Sequence, residues 1–150
     1  MAEQSITKTT RNVLITLLDG SKLDGQVFLD LYAVHHSGEQ QLGELLNSTE
    51  EFIPFKSGEE VSILNTAQIL TVTTNAEEEL DELMRLGRKY QVNIATLHHR
   101  NLQGEVYVNL AEASSRVRDW LNQPIAFLPV FLPDNIIIYI NRRHIIYAQD

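Results

Sequence analysis

The side chains best suited to chemistry in this 150-residue sequence are arginines near its C-terminal end. Arg116 and Arg118 precede Trp120-Leu121-Asn122, and Arg142 and Arg143 stand between two apolar runs. A guanidinium fork matches a carboxylate or a phosphate, and binding groups concentrate at turns and element ends. These four arginines are the ligand-binding candidates. Their competing use is pairing with Asp119 or with the acidic first half of the chain. Arg142 reads as part of an exposed turn, so its replacement by alanine is expected to cost under about 0.5 kcal/mol.

Other chemistry finds little support. The five histidines stand as His35-His36, His98-His99 and His144. Neighbouring side chains in an extended segment point to opposite faces, whereas a metal needs converging ligands. Solvated histidines and no metal site are expected. There is no cysteine, which excludes disulfides and thiolate chemistry. No G-x-S-x-G, H-E-x-x-H, phosphate loop or dinucleotide fingerprint occurs. Glu50-Glu51 and Glu59-Glu60 fall in turn-like stretches and read as solvated surface. No catalytic residue and no cofactor are assigned, and the expectation is a protein that is not an enzyme.

Composition bounds the partner. With 43% hydrophobic residues the chain can build a packed core. Its longest apolar run, Asn135 to Ile140 (NIIIYI), is strand-length, far short of the roughly 18 residues a membrane helix needs. The first ten residues lack the pattern of a secretory signal, so a soluble cytoplasmic protein with no membrane partner is expected. The formal charge is -8. Residues 11–75 carry three basic groups against nine acids, and residues 90–150 carry five arginines against five acids. The first half therefore disfavours a polyanion. Tight non-specific nucleic-acid binding takes roughly 6–10 phosphate contacts, so a short RNA or a nucleotide is the most the second half would hold.

The elements that must position these residues come as a repeat. VLITLLDGSKLDGQVFLD (13–30) lies over VNIATLHHRNLQGEVYVN (92–109), sharing Val13/Val92, Ile15/Ile94, Leu23/Leu102, Gly25/Gly104 and Val27/Val106. LGELLNSTEEFIPF (42–55) lies over VRDWLNQPIAFLPV (117–130), sharing Leu46/Leu121, Asn47/Asn122, Phe52/Phe127 and Pro54/Pro129. NTAQILTV (65–72) lies over NRRHIIYA (141–148), sharing Asn65/Asn141 and Ile69/Ile145. Three blocks in the same order argue for duplication.

Each block predicts local structure. Alternating Val13, Ile15 and Leu17, then Asp19-Gly20, then Leu23 to Leu29, predict two strands joined by a tight turn. Repeat two has His99 where Gly20 stands, so its turn should differ. Gly25 and Gly104 inside strands predict a sharp bend or close backbone approach. Leu42, Leu45 and Leu46, and Val117, Trp120 and Leu121, have helical spacing. Ser114 is a cap candidate, and Asn47 and Asn122 should end the helices in a left-handed or side-chain-bonded conformation. Pro54 and Pro129 predict edge strands or a bend. Between the repeats, Ala76, Leu80, Leu83, Met84 and Gly87 share a helical face after a capping Asn75, predicting an amphipathic connecting helix.

The stretch VLITLLDGSKLDGQV, followed by ILTV (69–72), resembles the Sm-like small β-barrel superfamily, in particular the strand-turn-strand motif of its Hfq-like bacterial branch. Val92, Ile94, Leu102, Gly104 and Ile145 carry the likeness in the second repeat. The L-x-G-x-V…LN…F-x-P…IN pattern also resembles bacterial proteins of unassigned function with duplicated modules. The resemblance implies a small barrel in each repeat, associating through open strand edges. RNA-binding members carry Tyr/Phe-Lys-His at the turn between the last two strands. Here the positions read Asn65-Thr66-Ala67 and Asn141-Arg142-Arg143, with His144 one place along, so no family binding residue is carried over.

The sequence therefore predicts a mainly β protein with short helices: two tandem Sm/SH3-like small-barrel modules, 1–74 and 91–150, joined by a helix over 75–90. Its expected role is a non-enzymatic protein-binding or assembly module that self-associates or takes a protein partner. The alternative is an RNA or nucleotide binder using the second-module arginines.

Overall fold

The structure, a computed structural model, describes residues 8–33, 38–79, 86–99, 101–110 and 116–150. The alternating apolar stretch at Val13 and Ile15 forms strand β1 (Lys8–Leu17), paired antiparallel with β2 (Lys22–Asp30). Gly20 takes φ +92° between them. The Asp19 carboxylate accepts the Ser21 hydroxyl and N–H, and those bonds hold its pKa below the usual range. Helix α1 (Leu42–Leu46) buries Leu42, Leu45 and Leu46 and ends at Asn47. Then come β3 (Phe52–Ser57), β4 (Glu60–Asn65), a 3-10 turn at Thr66–Gln68 and β5 (Ile69–Asn75).

The second half repeats this succession: β6 (Arg88–Thr96), β7 (Asn101–Val108), α2 (Val117–Leu121), β8 (Phe127–Leu132), β9 (Ile136–Asn141), a 3-10 turn at Arg142–His144 and β10 (Ile145–Gln149). The Asn65 and Asn141 side chains cap matching turns, accepting the Ala67 and Arg143 N–H groups. The β6–β7 connection differs from its counterpart, as the loss of glycine requires: Leu97–His99 is a 3-10 turn with His98 at φ +70°.

The ten strands of the described residues form one sheet, in the order β10-β6-β7-β8-β9-β5-β1-β2-β3-β4. Each half contributes the same local order, its last strand beside its first. The two halves meet where β9 pairs antiparallel with β5. The sheet is open, with β4 and β10 at its ends, so two closed barrels do not describe it.

Pro54 and Pro129 mark bends, not edges. β3 and β8 lie inside the sheet order, but β3 pairs with β2 only at Gln26↔Lys56 and Val27↔Phe55, and β8 with β7 only at Glu105↔Phe131. A proline has no N–H to give the ladder. Close approach there explains the strand glycines. A Cβ on Gly25 would lie 2.2 Å from the Lys56 carbonyl oxygen, and one on Gly104 would lie 2.7 Å from that of Phe131.

The helix expected over 75–90 meets a different chain path at both ends. Asn75 closes β5 and accepts the Glu77 N–H, Ala76–Glu78 makes one 3-10 turn, and Arg88 already begins β6. Residues 80–85 lie outside the described residues, as do Ser114 and the His35-His36 pair. Asn47 and Asn122 end their helices at φ -100° and -94°. They use side-chain bonds, not the left-handed conformation.

Candidate functional site

Two apolar cores lie along the sheet, and they are unequal. The second is built from the second half, around Val92, Ile94, Val106, Trp120 and Ile138. The first takes Val13, Ile15, Leu45, Ile53 and Ile69 from its own half and also Phe127, Ile137 and Tyr139 from the other. Alternation along β9 explains this: Ile138 and Ile140 face the second core, so Ile137 and Tyr139 face across the junction.

The junction has a fixed register, Thr71↔Ile140, Val72↔Tyr139, Thr73↔Ile138, Thr74↔Ile137 and Asn75↔Ile136. Two asparagine side chains lock it. The Asn47 amide donates to the Phe127 carbonyl at 3.0 Å and accepts the Phe127 N–H at 2.7 Å. The Asn141 amide donates to the buried Ile69 carbonyl at 2.9 Å. All four of these residues recur identically in the other half, as Asn122, Phe52, Asn65 and Ile145.

Beside the junction lies a buried charge cluster. The Glu79 carboxylate is fully buried. It accepts the Arg11 guanidinium, the Tyr139 hydroxyl, and the Leu42 and Gly43 N–H groups at 2.7 and 3.1 Å. Arg11 is buried too; it also bonds Glu39 at 3.1 Å, and its Nε lies 3.5 Å from the Glu78 carboxylate. Burial opposes the Arg11 charge, but Glu79, Glu39 and Glu78 outweigh it and hold its pKa above the usual value. Burial, reinforced by the Glu79 charge, pushes the Tyr139 hydroxyl far above the ordinary tyrosine range. A buried carboxylate with four donors is satisfied, so this cluster is built to clamp β1, α1 and β9 together.

The four candidate arginines do not form one site. Arg142 and Arg143 line a crevice of about 410 Å³ at the junction, with Asn65, Thr66 and Asn141. Arg116 and Arg118 line another, of about 680 Å³, with Arg88, Tyr90, Ala148 and Asp150. The exposed-turn reading of Arg142 is corrected. Its Nε donates to the Ile125 carbonyl at 3.0 Å and its NH1 to the Leu121 carbonyl at 3.3 Å, so it ties the end of α2 to the last turn. Arg143 is exposed. Arg116 lies 3.4 Å from Asp119. His98 is exposed and shares a 2.6 Å hydrogen bond with the Leu18 carbonyl. Among the described residues no group of three possible metal ligands comes together, and no helix is long and apolar enough to cross a membrane.

Sequence reasoning passed over Arg11, Glu79 and Tyr139. One signal was present: Arg11 occupies the inward phase of β1 set by Val13 and Ile15. No family model matches the chain, and neither a curated protein nor a solved structure matches it.

Proposed function

We propose that the protein is a non-enzymatic assembly module that associates head to tail through its open sheet edges. One comparison carries the reading. Phe127, Ile137 and Tyr139 are 2%, 0% and 3% exposed where they enter the first core. Their counterparts Phe52, Val61 and Ile63, on β3 and β4, are 56%, 57% and 62% exposed. At the opposite end of the sheet, Ile146 and Tyr147 are exposed, whereas their counterparts Leu70 and Thr71 are buried under β9. Open edges carrying apolar side chains are templates for strand pairing.

A second copy supplies the missing half at each end. Carried over from the junction, the register sets Tyr147 opposite Leu64 of the second copy, Ala148 opposite Ile63, Gln149 opposite Ser62 and Asp150 opposite Val61. Asn122 then meets the Phe52 backbone, and Asn65 the Ile145 carbonyl, as Asn47 and Asn141 do inside the chain. Such a contact is heterologous, so it closes into a ring or runs on as a filament according to its rotation. The repeated strand order and bent glycine strands support two Sm/SH3-like modules as the units of this assembly.

The alternative, a short-RNA or nucleotide binder, draws support from exposed Arg143 beside Asn65 and Asn141, with Arg142 already bonded to the backbone. Sedimentation velocity over a concentration series tests the proposal. Species heavier than the 17.1 kDa chain should form, and Ile63→Glu and Tyr147→Glu should each abolish them while the fold is retained. A monomer at every concentration overturns the reading, and salt-sensitive oligonucleotide binding by that monomer favours the alternative.

A further inference from the structure

The Glu79 cluster has a counterpart place in the second half, and there the described residues leave a crevice. Aligning the halves sets Tyr90 at the position of Arg11, Arg116 and Arg118 at those of Gln41 and Gly43, and Ala148 at that of Val72. These residues, with Arg88, line the crevice of about 680 Å³. In the first half the crevice is filled by a carboxylate and closed by Tyr139 of β9. In the second half three arginines line the crevice, Arg88 at the start of β6 and Arg116 and Arg118 at α2. Among the described residues no acid forms an ion pair with Arg88 or Arg118, and Arg116 has a single pairing, with Asp119. Asp150 also lines the crevice, leaving an excess of positive charge.

We infer that this arginine crevice receives the carboxylates of Glu59 and Glu60 from a second copy of the chain. The inference rests on the head-to-tail reading. In the carried-over register Asp150 stands opposite Val61 of the second copy, so Glu60 and Glu59 follow immediately, at the end of the edge where Ala148 and Asp150 border the crevice. Glu60 opens β4 and Glu59 lies in the turn before it, so both acids sit at the end of the edge strand that carries Val61 and Ile63. Both glutamates are exposed, and neither pairs with a cation among the described residues. The arrangement opposes two glutamates to a crevice in which Arg88 and Arg118 have no ion pair among the described residues. Opposed charges of this kind fix the register and partner of an interface and speed its formation. The apolar edge alone would pair with any strand; the charges select this one.

Charge reversal tests it. The substituted side chains are exposed, and circular dichroism melts check that each variant folds. Arg118→Glu and the double variant Glu59→Arg/Glu60→Arg should each lower the association constant at least tenfold, measured by sedimentation. An equimolar mixture of the two should regain at least half of that loss, because each supplies what the other lacks. If Arg116→Glu/Arg118→Glu keeps the wild-type association constant while Ile63→Glu destroys it, the crevice has no part in assembly and the inference falls alone. A wild-type monomer overturns the inference together with the assembly reading. If that monomer binds succinate, and Arg118→Glu does not, the crevice serves a free dicarboxylate instead.

Discussion

The β5·β9 junction and the two sheet ends are made from matching residues, yet one is dry and the others are wet. Phe127 and Phe52 are the same residue in the same local structure, and they differ by more than fifty percentage points in exposure. Asn47 and Asn122 both end a short helix. The first bonds across the junction to Phe127, while the second folds back on the Arg118 carbonyl at 2.8 Å. Burial here is decided by whether a strand has a neighbour, not by residue type. The comparison also separates what holds the molecule together from what remains available to a partner.

The largest effect should come from emptying the filled crevice. Glu79→Ala leaves the buried Arg11 without its main partner, and breaking a buried pair from one side costs about 3–5 kcal/mol, read from urea unfolding. Arg118→Ala at the open counterpart should stay within about 0.5 kcal/mol; equal losses would erase the distinction between the crevices. Next come the apolar pair. Ile137→Ala should cost about 2–5 kcal/mol as a core truncation, whereas Val61→Ala should change monomer stability by less than about 0.5 kcal/mol and instead weaken association. Urea melts at concentrations where the chain is monomeric read the first, and sedimentation the second.

Within the scaffold, Gly104→Val should cost about 1–3 kcal/mol by forcing β7 off the Phe131 backbone. Arg142→Ala should cost about 1–2 kcal/mol through its two carbonyl bonds, above the exposed-turn expectation; a change within about 0.5 kcal/mol would return Arg142 to the pool of free cations. The smallest effect is in pH. The folded state keeps the Tyr139 proton after an unfolded tyrosine loses it near its ordinary value of 10.0. The unfolded state then binds fewer protons, so stability is full below about pH 10 and falls above it by about 1.4 kcal/mol per pH unit. Tyr139→Phe should remove this contribution to the slope, as denaturant midpoints between pH 9 and 11 would report.

Much of the local structure was legible in the sequence because it depends on near neighbours. The alternation at Val13 and Ile15, the Asp19-Gly20 turn, the helical triplets before Asn47 and Asn122, and the strand glycines each report a short-range constraint. The duplication was legible as matched blocks. Residues 75–90 show the limit: their apolar spacing of 3.6 predicts a helix, but tertiary partners draw Arg88–Tyr90 into β6 and carry Glu79 into the interior.

The sequence by itself determined the elements, their order and their repetition, since turns, caps and alternation act over a few residues. Only the tertiary structure decided that the halves share one open sheet. Two equivalent halves cannot both be flanked on the same side within one chain, so β9 finds β5 while β4 and β10 each keep one unpaired outer edge. The same asymmetry decided the charged sites. Arg11 and Glu79 are 68 residues apart and meet through packing that no local pattern encodes. The four arginines, close in the sequence in pairs, are divided between two crevices because α2 stands between its own N-terminal arginines and the last turn that Arg142 ties to its far end.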